Sequence, residues 1–318
     1  MSALAATAIA THIGTKTFDV LFGEVVKKIF SKPEEPAPGK LRTAHLKEHC
    51  ERTYQRCIKI KTLLSRDEPV DMLQQYVNTK FRVKRRGKEK RIDDYEAMSE
   101  IEQKGRATIV GTAGSGKTIF MRYLWISLFI SSNPHIPIFV ELRRLNSMST
   151  LDLESFIFYS IIPTNEKIDI ESFQSWISHG RFSFILDGFD EVAADKRDKV
   201  QEQILKLCTK SNNNIVIVSG RPDDRFSSWQ EFSVFRVEPL DKQQVIQLIE
   251  RIDFDLSVKK KFTEAVERNL YVKHRDFLSS PLLASMMLLT SNIMRRSRRK
   301  FMYFTSWLTQ HCSQSTMP

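Results

Sequence analysis

The chain has 318 residues and 41% hydrophobic content, enough for about two domains with a substantial core. No apolar run reaches the ~20 residues of a membrane span, Met1 to Ala10 lacks the basic lead-in of a secretory signal, and four irregularly spaced cysteines point to free thiols in a reducing, cytoplasmic setting. A net charge of +11 leaves nucleic acid or an anionic membrane surface open as a partner, although Arg295, Arg296, Arg298, Arg299 and Lys300 alone supply five of those charges.

Residues 1–30 read as helical, because Phe18, Leu21, Phe22, Val25, Val26, Ile29 and Phe30 recur at helical spacing. Pro33, Pro36, Pro38 and Gly39 break the pattern, so 31–40 reads as a linker. A second helix is expected from Leu41 to Leu64. Its His45 and His49 have the i, i+4 spacing of metal ligands, but nothing nearby completes a ligand set, so they read as ordinary helix residues. An extended segment begins at Tyr76-Val77 and enters the basic cluster Lys80 to Arg91. That cluster reads as a solvated hairpin or loop, with a nucleic-acid or partner contact as the alternative. A helix is expected over Asp93 to Gln103.

Ala107 to Val110 then reads as a short buried strand, and Thr118 to Ile130 as an apolar-rich helix. Between them lies Gly111-Thr112-Ala113-Gly114-Ser115-Gly116-Lys117-Thr118, which fits the phosphate-loop pattern G-x-x-x-x-G-K-[ST] at every fixed position. Glycines let backbone N–H groups close around phosphate oxygens. The helix start adds the positive end of its dipole. Lys117 is expected to reach the β- and γ-phosphates, Thr118 to ligate Mg²⁺, and Ile119 to complete the nucleotide-binding stretch.

Further strands are expected at Ile136–Leu142, Phe182–Asp187, Ile215–Val218 and Val234–Val237. Helices are expected at 150–162, 169–179 and 195–208. Alternation of apolar strands with helices implies a parallel sheet covered on both faces, an α/β fold. Asp187, at a strand end, stands where an acid should hold Mg²⁺. Asp190 and Glu191 follow it as candidate catalytic acids: Glu191 to orient or deprotonate the attacking water, Asp190 to help fix the metal shell. Arg221, after the next strand, is placed to sense the γ-phosphate. From Asp241 only helices are expected. Asp241 and Gln244 form a capping box, and Leu278–Leu283 starts a last helix with Pro281 near its first turn.

GTAGSGKT, IPIFVELRRL, FSFILDGFDEV, IVIVSGRPDD, VEPLDKQQVIQLI and SSPLLASMMLL occur here in the order of a NACHT domain. The region from Tyr76 to Leu289 resembles this family of STAND signal-transduction P-loop ATPases; the N-terminal helices do not. The chain is thus expected to divide into an N-terminal helical region over 1–70, a P-loop NTPase core over 71–240 and, as the resemblance implies, a helical lid over 241–293. Nucleotide would sit between core and lid, with Pro281 against adenine and Arg221 as sensor. It further implies an ADP/ATP switch with slow Mg²⁺-dependent hydrolysis. Such a switch would control assembly of a homo-oligomer in antiviral, antiphage defence, with a phage-derived or host protein as trigger.

Such modules normally continue into a winged-helix region. The tail 294–318 has no acid and no periodicity. Read one frame over, a permitted codon choice gives NAEIPEKVYVFYELAYSTLFSKHDA, which resembles the usual continuation. The expectation is therefore a frameshifted, truncated member of this family with an aberrant or disordered tail. Two alternatives stay open: a P-loop ATPase linked to nucleic acid through the basic segments, and a non-catalytic fragment that only binds nucleotide.

Overall fold

A computed structural model describes residues 18–29, 40–65, 67–131, 135–162 and 170–293. The expected linker at 31–40, apart from Lys40, and the tail at 294–318 lie outside them. The expected first helix is described from Phe18 onward. Two compact units result, one of Met1–Ile60 with Pro69–Pro239, the other of Lys61–Glu68 with Leu240–Pro318.

The first unit is built on seven strands: β1 (Lys80–Arg85), β2 (Lys88–Asp93), β3 (Arg106–Val110), β4 (Ile136–Glu141), β5 (Phe182–Asp187), β6 (Ile215–Gly220) and β7 (Ser233–Val237). Their spatial order is β2-β1-β7-β3-β6-β5-β4. The pairings among β7, β3, β6, β5 and β4 are all parallel. Every residue of β3, β5 and β6 is buried, as a sheet covered on both faces requires. The sheet departs from the all-parallel expectation at one edge, where β1 runs antiparallel to both β7 and β2. The cause is local. Arg86 and Gly87 both have positive φ, 50° and 78°, which is the two-residue turn that closes a tight hairpin. The basic cluster is thus a hairpin.

Helices α1 (Phe18–Ile29) and α2 (Lys40–Ile58) precede the sheet. They are followed by α3 (Asp94–Lys104), α4 (Lys117–Ile130), α5 (Leu153–Ile161), α6 (Ile170–Ser178) and α7 (Arg197–Lys210). Asp93 caps α3 by accepting the Glu96 N–H at 2.8 Å, and Gly105, at φ 71°, ends it. The expected 41–64 helix stops at Ile58, because Lys59–Ile60 pair instead with Val70–Asp71. Asp152 delays α5 to Leu153 by accepting the N–H groups of Glu154 and Ser155. β3 starts one residue earlier than expected. Its Arg106 is buried, and its guanidinium donates to the carbonyls of Gly105, Cys208, Ser211 and Asn214.

The N-terminal helices pack onto the helix that follows the phosphate loop. Phe18 of α1 stacks on Phe129 of α4, with centroids 5.4 Å apart, and Phe129 stacks on Trp125. Tyr54 of α2 joins the same cluster. Cys50, Cys57 and Cys208 are buried free thiols; burial pushes the first two up to about 12 and the third to about 11.

His49 is buried, and its Nδ1 donates to the Ser160 carbonyl at 3.0 Å. Burial holds its pKa down to about 4, with Arg52 and Arg56 adding to the effect. The unfolded chain therefore binds a proton near pH 6.5 that the folded chain refuses until about pH 4. Stability should be full above pH 6.5 and fall between 6.5 and 4. By pH 5 the loss from this group is about 2 kcal/mol. His49→Asn, which keeps a donor for Ser160, should flatten that part of a urea-denaturation pH profile. An unchanged slope would remove His49 as its source.

The second unit is helical: α8 (Lys242–Arg251), α9 (Leu256–Ala265) and α10 (Pro281–Ile293). Val245, Ile249, Phe262, Leu278 and Leu288 are among its core residues. The capping box forms as the spacing demands. Asp241 accepts the Gln244 N–H at 2.9 Å, and the Gln244 side chain accepts the Asp241 N–H at 3.0 Å. Pro281 is the first residue of α10, where its missing N–H costs nothing.

Candidate functional site

The loop Gly111–Gly116 joins the end of β3 to the start of α4. Gly114 and Gly116 have φ of 72° and 94°, which L side chains rarely adopt. A Cβ on Gly111 would stand 2.6 Å from Ser115 Oγ, so the loop is too tight there for a side chain. The Gly111 N–H donates to the Gly220 carbonyl, tying the loop to the end of β6. Ser115 Oγ is buried with no hydrogen-bond partner among the described residues. Thr112 and Ala113 are exposed at the tip of the loop, and Ile119 packs against the core.

Lys117 Nζ donates to the carbonyls of Gly111 at 2.7 Å and Thr112 at 3.0 Å. Burial lowers its pKa, while Asp190 and Asp187 pull the other way. Arg221 and Glu191 also act on it electrostatically, so all four charged residues expected at the site lie within reach of this ammonium.

Thr118 Oγ1 donates to Asp187 Oδ2 at 2.9 Å, which joins the loop to the acid at the end of β5. The other oxygen of Asp187 accepts from Ser219 Oγ at 2.5 Å. Ser219 in turn accepts the Gly188 N–H at 2.9 Å. Burial raises the Asp187 pKa against the effect of these hydrogen bonds. Gly188 turns the chain at φ 81°, and Asp190 and Glu191 follow in a single 3₁₀ turn. Asp190 Oδ1 accepts the Arg221 N–H at 3.1 Å, and its Oδ2 lies 2.9 Å from Arg221 Nε. Glu191 is half exposed, 3.8 Å from Arg143 Nη1.

Loop, Asp187, Asp190, Glu191 and Arg221 are thus gathered at one end of the parallel strands. That is where ligands bind in open α/β sheets. Pro281 belongs to the helical unit, at the start of α10. Three participants did not stand out in the sequence: Ser219, which fixes Asp187; Arg143, which faces Glu191; and Asn146, which brackets the acidic turn through Glu191 O and Ala193 N. Ser219 carried a weak signal, as a small polar residue closing an otherwise apolar strand.

The residues fit a nucleotide with Mg²⁺. A loop that excludes a Cβ, an unpartnered hydroxyl within it and an ammonium resting on its own carbonyls suit a polyphosphate. A hydroxyl and a buried carboxylate in contact are the hard oxygen donors that Mg²⁺ takes. His45 and His49 are buried in α2, and no cluster of metal-ligating side chains occurs among the described residues.

Residues 106–253 match the family described as the NACHT domain. Among solved structures, the chain is similar to Cdc6p from Pyrobaculum aerophilum. The likeness has 15% identity and a TM-score of 0.39, and covers 61% of this chain and 57% of that one. The chain thus spans little more than half of that protein's length. No curated protein matches the chain.

Proposed function

We propose, from the match of residues 106–253 to the NACHT domain family, that the chain is an ATP- and ADP-binding switch that hydrolyses ATP slowly with Mg²⁺. The observation that carries the reading is the 2.9 Å hydrogen bond between Thr118 and Asp187. It brings the hydroxyl of the phosphate loop and the strand-end acid into contact, a pairing that supports a shared Mg²⁺ role.

In this reading the backbone of Gly111–Gly116 and the Lys117 ammonium hold the β- and γ-phosphates. Thr118 and Asp187 would hold Mg²⁺, which supplies charge neutralisation at the phosphates. Glu191 orients the attacking water. Asp190 holds Arg221, whose guanidinium responds to the γ-phosphate. The family resemblance further assigns Pro281 to adenine and the region from Leu240 onward to a lid. Nucleotide state would govern homo-oligomerisation, and antiphage defence in the cytoplasm is the setting we assign. No helix among the described residues is long and apolar enough to cross a membrane.

Phosphate release and sizing chromatography test this together. Turnover should be about 0.01 s⁻¹ or slower, as for P-loop switches acting without a partner. ATP and ADP should give different assembly states. Rapid turnover with the same size under both nucleotides would exclude a switch.

A further inference from the structure

The β2-β1-β7 edge of the sheet carries a feature that the nucleotide reading does not use. In register, Arg91 of β2 stands opposite Arg82 of β1, and Arg82 opposite Arg236 of β7. Directly opposed residues share a face. Phe81, Val83, Ile92 and Phe235 take the buried side, so the three arginines form a row across the solvent side of three strands. At about 4.8 Å between strands the row is about 10 Å long. Lys80 and Lys84 flank Arg82 on the same face, each roughly 7 Å along β1.

Aligned cations repel one another, and Glu238 holds them in place. Its Oε1 accepts from Arg82 Nε at 2.6 Å, and its Oε2 lies 3.2 Å from Arg91 Nε. With Glu89 on Arg82, two carboxylates offset these two guanidiniums, and the face stays positive through Arg236, Lys80 and Lys84, against Asp93 opposite Lys80. Arg91 engages Glu238 through Nε on a side chain that is 74% exposed. Arg82 Nη1 further meets Glu89 at 3.3 Å. Lys84 and Arg236 are exposed and carry no ion pair among the described residues. Arg86 and Lys88 extend the positive surface at the turn.

We propose that this face binds the phosphate backbone of single-stranded nucleic acid. Lys84, Arg91 and Arg236 contact phosphates. Evenly spaced cations on an open sheet surface follow a flexible anionic chain without reading its sequence.

Fluorescence anisotropy on the full chain tests this, with a fluorescein-labelled oligo-dT of about 30 nucleotides between 50 and 200 mM salt. Binding should weaken as salt rises. The double variant Lys84→Glu/Arg236→Glu should bind at least tenfold more weakly. Its log–log salt slope should fall by about 1.4, two single-strand phosphate contacts. Both side chains are exposed, so melting temperatures should match the parent. Lys117→Ala should bind oligo-dT like the parent, which separates this face from the nucleotide site.

Three results would overturn the proposal. One is no salt-dependent binding. A second is binding abolished by glutamine at Arg295, Arg296, Arg298, Arg299 and Lys300 but indifferent to the hairpin variants. The third is tighter binding to duplex DNA or to phosphatidylserine vesicles than to oligo-dT.

Discussion

Lys117→Ala should abolish the rise in melting temperature that Mg²⁺·ATP or ADP produces in the parent protein. A ligand bound only by the folded state, at a hundred times its Kd, stabilises by about 2.7 kcal/mol. For a domain of this size that is a rise of roughly 5–10 °C. The ammonium is the one flexible cation of the loop. Its present partners, the carbonyls of Gly111 and Thr112, can turn to solvent or to a phosphate-bound cation when it is gone. Without nucleotide, the variant should therefore melt within about 2 °C of the parent. An equal nucleotide-induced rise in both proteins would show that polyphosphate binds somewhere other than this loop.

Asp187→Asn should reduce ATP hydrolysis by about a hundredfold or more while nucleotide still raises the melting temperature. The magnitude is that of removing one preorganised electrostatic contact to the transition state. The same substitution should leave the nucleotide-free fold unharmed or slightly firmer at neutral pH. Burial raises the Asp187 pKa above the ordinary carboxylate range. Its ionised form thus costs stability that is absent at low pH and grows as pH rises through the raised pKa. Asparagine fits the same space and can keep a bond to Ser219 or Thr118. In metal-free buffer, melting temperatures at pH 4 and pH 7 read this directly. The variant should gain on the parent at pH 7 and not at pH 4. Parent-like hydrolysis would remove Asp187 from the proposed chemistry. Collapse of the fold at pH 7 would show that its carboxylate is structural.

These expectations differ in how much of each was legible before the fold. The phosphate loop was readable because its chemistry is local: glycines, lysine and threonine act through backbone angles set within eight consecutive residues. The capping box at Asp241 and the strand runs at 182–187 and 215–220 were readable for the same reason, as neighbours in sequence fix them. Segment ends were less so. α2 stops at Ile58 because of a pairing with Val70–Asp71, which lie outside any local window. The hairpin at 80–93 could be expected, but its antiparallel place beside β7 could not, since β7 follows 140 residues later.

At the site, residue types alone determined that a polyphosphate loop and three acids were present. Their pairing was decided by tertiary structure. Ser219 holds Asp187 because β5 and β6 are adjacent and in register, 32 residues apart in the chain. Arg221 meets Asp190 for the same reason. The arginine row Arg91–Arg82–Arg236 likewise exists only where three strands align. A sequence determines chemistry carried by short, rigid spacings. Contacts between distant segments depend on which strands become neighbours, and burial of the whole sheet decides that.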